Sequence, residues 1–216
     1  MLPWWKLAAI IVTALIEVHS SDAEVKYIPL AVDWAMNWGA WGETEYCPEG
    51  AFAYAFRIKV EATAAKDDTA LNGIELFCRF PSDIGQDGAM PRKNAWEATI
   101  NSSTQKWGYW RGKRECREGY LTGLRLKSER NRGLYIDDTA ANELEMQCNW
   151  SGKGKLKGGG THWGKFSSWE TCPKGWAICG IQTQVEPHMD YIYDDTALNN
   201  VRMFCCDLGP NYYIYY

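Results

Sequence analysis

The chain has 216 residues, with 23 Lys and Arg against 27 Asp and Glu, for a net charge of −4. That balance gives no electrostatic reason to bind nucleic acid or an anionic membrane surface. An apolar content of 46% excludes a mainly disordered chain, and 12 Trp, 12 Tyr and 20 Gly favour sheets over helical bundles.

Residues 1–23 read as a secretory signal peptide. Lys6 precedes an apolar run from Leu7 to Ile16, and Ser21-Asp22-Ala23 fits a small-x-small cleavage site, with cleavage after Ser20 as the alternative. The run is too short to span a bilayer, and no later stretch is long enough to do so. Residues 24–216 read as one domain containing repeat units at approximately 34–80, 104–150 and 160–208.

Each unit opens with a Trp-Gly lead-in: Trp38-Gly39-Ala40-Trp41, then Trp107-Gly108-Tyr109-Trp110, then Trp163-Gly164-Lys165-Phe166. In every unit the second aromatic stands six residues before a Cys (Cys47, Cys116, Cys172), and a Gly (Gly50, Gly119, Gly175) stands three after it. A strand with period two follows. Phe56, Ile58 and Val60 alternate with Arg57 and Lys59; Leu124 and Leu126 with Arg125 and Lys127; Ile181, Thr183 and Val185 with Gln182 and Gln184. The three strands finish at Glu61, Glu129 and Glu186. Each unit closes on Asp-Asp-Thr-Ala-x-Asn followed by a second alternating strand that ends in Cys78, Cys148 or Cys205. Helical periodicity is absent from the mature region, so the expected architecture is all-β, with three units packing their apolar faces around a common axis. A Trp from each unit is expected to fill the centre or cap its open end.

Eight cysteines behind a signal peptide imply disulfides. Cys47 to Cys78, Cys116 to Cys148 and Cys172 to Cys205 span 31, 32 and 33 positions, so the simplest assignment pairs them within units. Cys179 and Cys206 then pair with each other, although the pairing among Cys172, Cys179, Cys205 and Cys206 stays open at this point. No paired C-x-x-C occurs, and His162 and His188 lack partners at ligand spacing, so neither a metal nor a cofactor is expected. No nucleophile elbow, H-E-x-x-H, Walker or dinucleotide motif is present. The Gly- and Lys-rich stretch 151–160 reads as a solvated connector, because a phosphate loop needs a strand before it and a helix after it. Two sequons, at Asn101 and Asn149, are candidate glycosylation sites.

Three sets of residues invite a functional reading. Asp67, Asp68 and Asn72, with Asp137, Asp138 and Asn142 and with Asp194, Asp195 and Asn199, suit turn-fixing better than catalysis. Short polar side chains accept backbone N–H groups, and an active site needs unlike roles rather than three identical copies. Glu61, Glu129 and Glu186 are candidate acids if they converge, and solvated strand ends otherwise. Trp38, Trp41, Trp107, Trp110 and Trp163 are candidate sugar platforms, although each taken singly reads as core.

Taken together, the triple Asp-Asp-Thr-Ala-x-Asn…Cys motif, the Trp-Gly-x-Trp/Phe lead-in, the Cys-x-x-Gly turn and the strand ending in Lys/Gln-x-Glu resemble the vitelline membrane outer layer protein 1 family over nearly the whole mature chain. The sequence departs from a strict repeat at Ala55, where the other units have Gly123 and Gly180, and by one residue missing between Gly119 and Gly123. The resemblance implies a type I β-prism of three Greek-key sheets with pseudo-threefold symmetry, stapled by disulfides. It also implies a secreted structural protein of an extracellular or egg-type coat, with extracellular glycans or coat glycoproteins as partners. The alternative it carries is a carbohydrate-active protein: a lectin-like module, or a transferase or hydrolase acting on N-acetylglucosamine oligosaccharides.

Overall fold

A computed structural model of the chain describes residues 27–61, 71–81, 96–129, 140–149, 154–186 and 198–209. Residues 1–23, expected to be a signal peptide, the aromatic tail 210–216 and the six motif aspartates lie outside the described residues.

The regular elements of the described residues are all strands, with no α-helix among them. In chain order they are β1 (Ile28–Ala31), β2 (Ala40–Trp41), β3 (Glu45–Tyr46), β4 (Phe52–Val60), β5 (Leu71–Arg79), β6 (Ala98–Asn101), β7 (Tyr109–Trp110) and β8 (Arg114–Glu115). There follow β9 (Leu121–Ser128), β10 (Ala141–Cys148), β11 (Lys155–Lys157), β12 (Lys165–Phe166), β13 (Glu170–Thr171), β14 (Trp176–Val185) and β15 (Leu198–Asp207).

These strands make three five-stranded antiparallel sheets of one design. In each, a long hairpin is flanked on one side by a closing strand and on the other by two short strands. Sheet 1 runs β6-β5-β4-β7, with β8 also on β4; sheet 2 runs β11-β10-β9-β12, with β13 on β9; sheet 3 runs β1-β15-β14-β2, with β3 on β14. The expected three-sided, pseudo-threefold β-prism is therefore present.

Sheet membership is offset from the sequence repeat. The lead-in of each repeat pairs with the long strand of the preceding one: Trp110 with Lys59, Phe166 with Lys127, and Trp41 with Gln184 of the third repeat. The N-terminal strand β1 likewise closes the C-terminal sheet, with Leu30 opposite Met203. A repeat thus straddles two sheets, and a disulfide inside a repeat becomes a tie between sheets. Cys47 follows β3 of sheet 3 and bonds Cys78 of sheet 1; Cys116 follows β8 of sheet 1 and bonds Cys148 of sheet 2; Cys172 follows β13 of sheet 2 and bonds Cys205 of sheet 3. Cys179–Cys206 instead joins the two neighbouring strands β14 and β15. The four pairs are those the spacing suggested.

Alternation decides the interior. Phe56, Leu124 and Ile181 occupy equivalent positions on the central strands, and Leu76, Met146 and Met203 face them from the partners. The closing strands add Leu30, Ile100 and Leu156. Each fully buried side chain of this type contributes about 1.5–3 kcal/mol. Of the two places expected for a Trp of each unit, the centre or its open end, the first is corrected here. The described core is aliphatic, with Phe56 as its large ring, and Trp38, Trp41, Trp107, Trp110 and Trp163 all lie outside it. An aliphatic set interdigitates where three sheets converge, whereas three indoles crowded on one axis would leave N–H groups without acceptors.

Each central hairpin carries two bulges at matching places. The first sits at Tyr54, Thr122 and Cys179. The residue after it must be small where a short strand crosses: a Cβ on Gly180 would overlap the Tyr46 ring, and one on Gly123 would press on Glu170 O. The second bulge falls on Asn72, Asn142 and Asn199, all fully buried. The asparagine of the repeated motif is thus the extra residue of a bulge, where the ladder shifts register and a side-chain amide can satisfy displaced backbone groups.

Candidate functional site

The Trp-Gly lead-ins become three turns docked on the ends of the long strands. Gly39, Gly108 and Gly164 have φ of +80°, +76° and +80°, and any Cβ there would overlap the backbone at Val185/Glu186, Val60/Glu61 and Ser128/Glu129 respectively. Only glycine meets both conditions at once. Side chains reaching from the strand hold each turn in place. Lys59 Nζ donates to the carbonyls of Gln105 and Lys106, both at 2.9 Å. Lys127 Nζ donates to His162 O at 2.6 Å, and Gln184 Nε2 donates to Asn37 O and Gly39 O at 3.1 Å. These three donors are the first residues of the Lys/Gln-x-Glu motif. From the other side, the backbone N–H groups of Gln105 and Thr161 donate to the bulged Asn72 and Asn142 carbonyls.

Rotation about the pseudo-threefold axis keeps equivalent residues at one level, so the turns form a ring where β4, β9 and β14 end. The first tryptophans of the lead-ins stand on this ring, exposed by 52% for Trp38, 40% for Trp107 and 44% for Trp163. The backbones of Glu186, Glu61 and Glu129 pass against the glycines that follow these tryptophans, so each corner brings the lead-in of one repeat to the strand end of the preceding one. Glu129 is buried, whereas Glu61 and Glu186 are half-buried. The corners differ in detail. Lys106 Nζ lies 4.5 Å from the Trp107 ring centre, the His162 ring stacks 4.2 Å from Trp163, and Tyr109 at the second corner is 82% exposed.

The second aromatic of each lead-in does different work. Trp41 and Trp110 are half-buried on the outer sheet faces, each under a guanidinium: Arg202 at 4.2 Å and Arg57 at 4.9 Å. Phe166 lies under Arg125 at 4.1 Å. Arg57 also pairs with Glu75 at 2.5 Å, and Arg125 with Glu145 at 2.6 Å. In sheet 3 the arginine has moved to the neighbouring strand, where Arg202 sits opposite Gln182. The structure therefore divides the five tryptophan candidates. Three form the exposed ring, and Trp41 and Trp110 have one face covered by the chain's own arginines.

Two clusters were not apparent from the sequence. On sheet 1, Tyr54, Glu97 and Lys113 form a closed network. The Tyr54 hydroxyl donates to Glu97, and Lys113 Nζ reaches Tyr54 Oη at 3.0 Å and Glu97 Oε2 at 2.9 Å. Burial pushes the Glu97 carboxyl up, but the hydrogen bonds from Tyr54 and Lys113 outweigh it and hold the group below its usual range. Burial, aided by Glu97, raises the Tyr54 phenol. Such a self-satisfied network fixes the β6–β8 corner and has no poised proton to give away. Arg79, fully buried, stacks at 4.1 Å on the Tyr54 ring and donates to Gly119 O at 3.0 Å.

The second cluster centres on Glu143, which follows the bulged Asn142. Its buried carboxylate accepts from the N–H groups of Leu144, Gly159 and Gly160 at 3.0–3.1 Å. The stretch expected to be a solvated connector instead forms β11 and a glycine turn after it, and that turn cradles an anion that is the chain's own. Burial raises the Glu143 pKa, the three backbone donors oppose it, and burial wins. A carboxyl raised on folding takes up its proton in the folded state first. The cost of burying its charge is therefore present above the folded pKa and is relieved as pH falls through it toward the unfolded value. Relative to Glu143→Gln, the unsubstituted protein is expected to gain stability over that interval. Urea midpoints of both proteins across a pH series measure this, and a gap that moves the other way contradicts it.

Among the described residues, no group of three or more His, Cys, Asp or Glu is arranged to hold a metal, and no helix is long and apolar enough to cross a membrane. Asn101 is exposed and Asn149 half-buried. Residues 29–208 match the family model described as vitelline membrane outer layer protein I. The human vitelline membrane outer layer protein 1 homolog is 39% identical over 173 residues, 78% of either chain. The mouse protein of the same name is 35% identical over 200 residues, 89% of either chain. Among solved structures, Calystegia sepium agglutinin aligns with a TM-score of 0.45 and 14% identity, over 84% of this chain and 95% of its own. With three repeats, their between-sheet disulfides and a family match running from β1 to β15, the chain belongs to the vitelline membrane outer layer protein I family.

Proposed function

We propose that the protein is a secreted structural component of an extracellular coat, and that it holds coat glycans through the tryptophan ring. Four disulfides suit an oxidising, extracellular setting, and the human and mouse relatives are named for the outer layer of the vitelline membrane. The observation that carries the glycan reading is the ring itself. Three exposed indoles are held at one level by glycines and strand side chains that leave the turns little freedom. Rigid, half-open aromatic faces suit the apolar C–H face of a sugar and lose little entropy on binding. Three such corners on one molecule favour avidity toward a polymeric coat.

Titration of the full mature chain with chito-oligosaccharides, followed by tryptophan fluorescence, tests this reading. Trp38→Ala, Trp107→Ala and Trp163→Ala are each expected to weaken binding about three- to tenfold, the loss of one stacking contact. Wild-type affinity in all three variants, or no binding by the parent, refutes the ring as a glycan site. The second reading, glycosyl transfer or hydrolysis on N-acetylglucosamine oligosaccharides, is motivated by the glutamate at each corner. It predicts new products on incubation, abolished by one of Glu61→Gln, Glu129→Gln or Glu186→Gln. Binding without products favours the structural role.

A further inference from the structure

The two sequons are equivalent in sequence and unlike in the fold. Asn101 is the last residue of β6, the edge strand of sheet 1, where it sits opposite Glu75. It is exposed, and so is Ser103, whose hydroxyl completes the Asn-x-Ser signal. The segment is fastened by its neighbours. Ser102 Oγ donates to Glu43 O at 2.7 Å, and Ser103 O accepts from Thr183 Oγ1 at 2.6 Å. These two bonds tie sheet 1 to sheet 3 without using the Asn101 amide.

Asn149 is built into the ladder instead. It follows Cys148, which is bonded to Cys116, and its own N–H donates to Tyr120 O at 3.0 Å. Its side-chain Oδ1 accepts from Tyr120 N–H at 2.9 Å. Tyr120 is fully buried, with its ring 5.5 Å from that of Phe52. The Asn149 side chain thus serves as the acceptor for a backbone donor at the start of β9. That bond fixes the amide plane, so a sugar on Nδ2 has to fit at a half-buried position, and turning the amide to make room leaves the Tyr120 N–H without its acceptor, which costs about 1–3 kcal/mol.

We propose that Asn101 carries an N-linked glycan and that Asn149 stays unmodified in the folded, secreted protein. The proposal rests on the extracellular reading above. In the transfer, Asn101 Nδ2 forms a bond to the anomeric carbon of a polyisoprenyl-diphosphate oligosaccharide. The anomeric C–O bond to phosphate breaks, Nδ2 loses a proton, and the lipid diphosphate leaves. Equivalent positions in the other sheets are Lys157 and Ala31, so one prism edge of three, that between sheets 1 and 3, carries the sugar. The glycan marks a face unavailable for close packing against coat partners.

Expression of the full chain in secreting animal cells tests this. Peptide N-glycosidase in heavy-oxygen water converts each glycosylated Asn to a labelled Asp that peptide mass spectrometry locates. Label at Asn101 and none at Asn149 in protein from the medium is the expected result. Asn101→Gln should be secreted normally with one glycan's mass less. Asn149→Gln should keep its glycan and show a lower thermal midpoint. Label at Asn149, or secreted protein without label at Asn101, overturns the proposal while leaving the extracellular reading intact. Chain retained in the cell and unmodified overturns both.

Discussion

Replacing Cys116 and Cys148 together by Ala is expected to lower the unfolding free energy by about 3–4 kcal/mol, read as a fall in urea midpoint under non-reducing conditions. The bond closes a loop with a sequence separation of 32 and is the covalent tie between sheet 1 and sheet 2. Without it, the two sheets meet through side-chain packing and hydrogen bonds such as that from Arg114 Nε to Lys157 O at 3.0 Å. Removing Cys179–Cys206 in the same way is expected to cost less, about 2–3 kcal/mol. With Cys172–Cys205 intact, that bond closes an effective loop of only about eight residues. It also joins two strands already paired along their length. A larger loss for the Cys179–Cys206 variant contradicts the view that inter-sheet ties dominate.

Phe56→Ala should destabilise by about 3–5 kcal/mol, enough to abolish most of the stability of a typical domain. Phe56 is fully buried at the centre of β4 and supplies the largest ring in the shared core. Its equivalents are Leu124 and Ile181, so the sheet 1 side contributes extra volume that the other two cannot supply. Sheet ladders on all three sides resist collapse into the vacancy, which keeps the cavity cost high. Tyr109→Ala removes an aromatic of similar size from the exposed ring and should change stability by about 0.5 kcal/mol or less. Chemical denaturation of the two variants side by side gives the comparison. Similar losses show that the ring, and not the axial core, carries the packing.

Much of this architecture is legible in the residues. Alternation in Phe56–Val60, Leu124–Lys127 and Ile181–Val185 marks half-buried strands, because side chains on a pleated strand have a period of two. The triple motif places six cysteines at matching spacings, which suggests Cys47–Cys78, Cys116–Cys148 and Cys172–Cys205, while the choice among Cys172, Cys179, Cys205 and Cys206 is decided only by the structure. Asn72, Asn142 and Asn199, expected in a turn, sit buried at strand bulges, and the aspartates of the same motif lie outside the described residues. The site is less legible. The exposed Trp38 and Trp107 and the covered Trp41 and Trp110 are the same residue type three positions apart. A positive φ at the intervening Gly, and a strand glutamate beyond it, separates their fates. The Glu143 cradle and the Tyr54–Glu97–Lys113 network join residues 16 or more positions apart without a shared motif.

The sequence by itself determined that this protein is three copies of a β unit, clamped by sulfur, with one apolar face per strand. Local alternation and exact repetition are properties of neighbouring residues and survive in one dimension. The tertiary structure alone decided which strand completes which sheet: that each lead-in joins the preceding repeat, that β1 closes the last sheet, and that Trp38, Trp107 and Trp163 stand exposed outside the shared core. Two-residue strands have no periodicity to betray their partners. Their pairing is set by loop closure and inter-sheet packing over long stretches of chain, which no local pattern encodes.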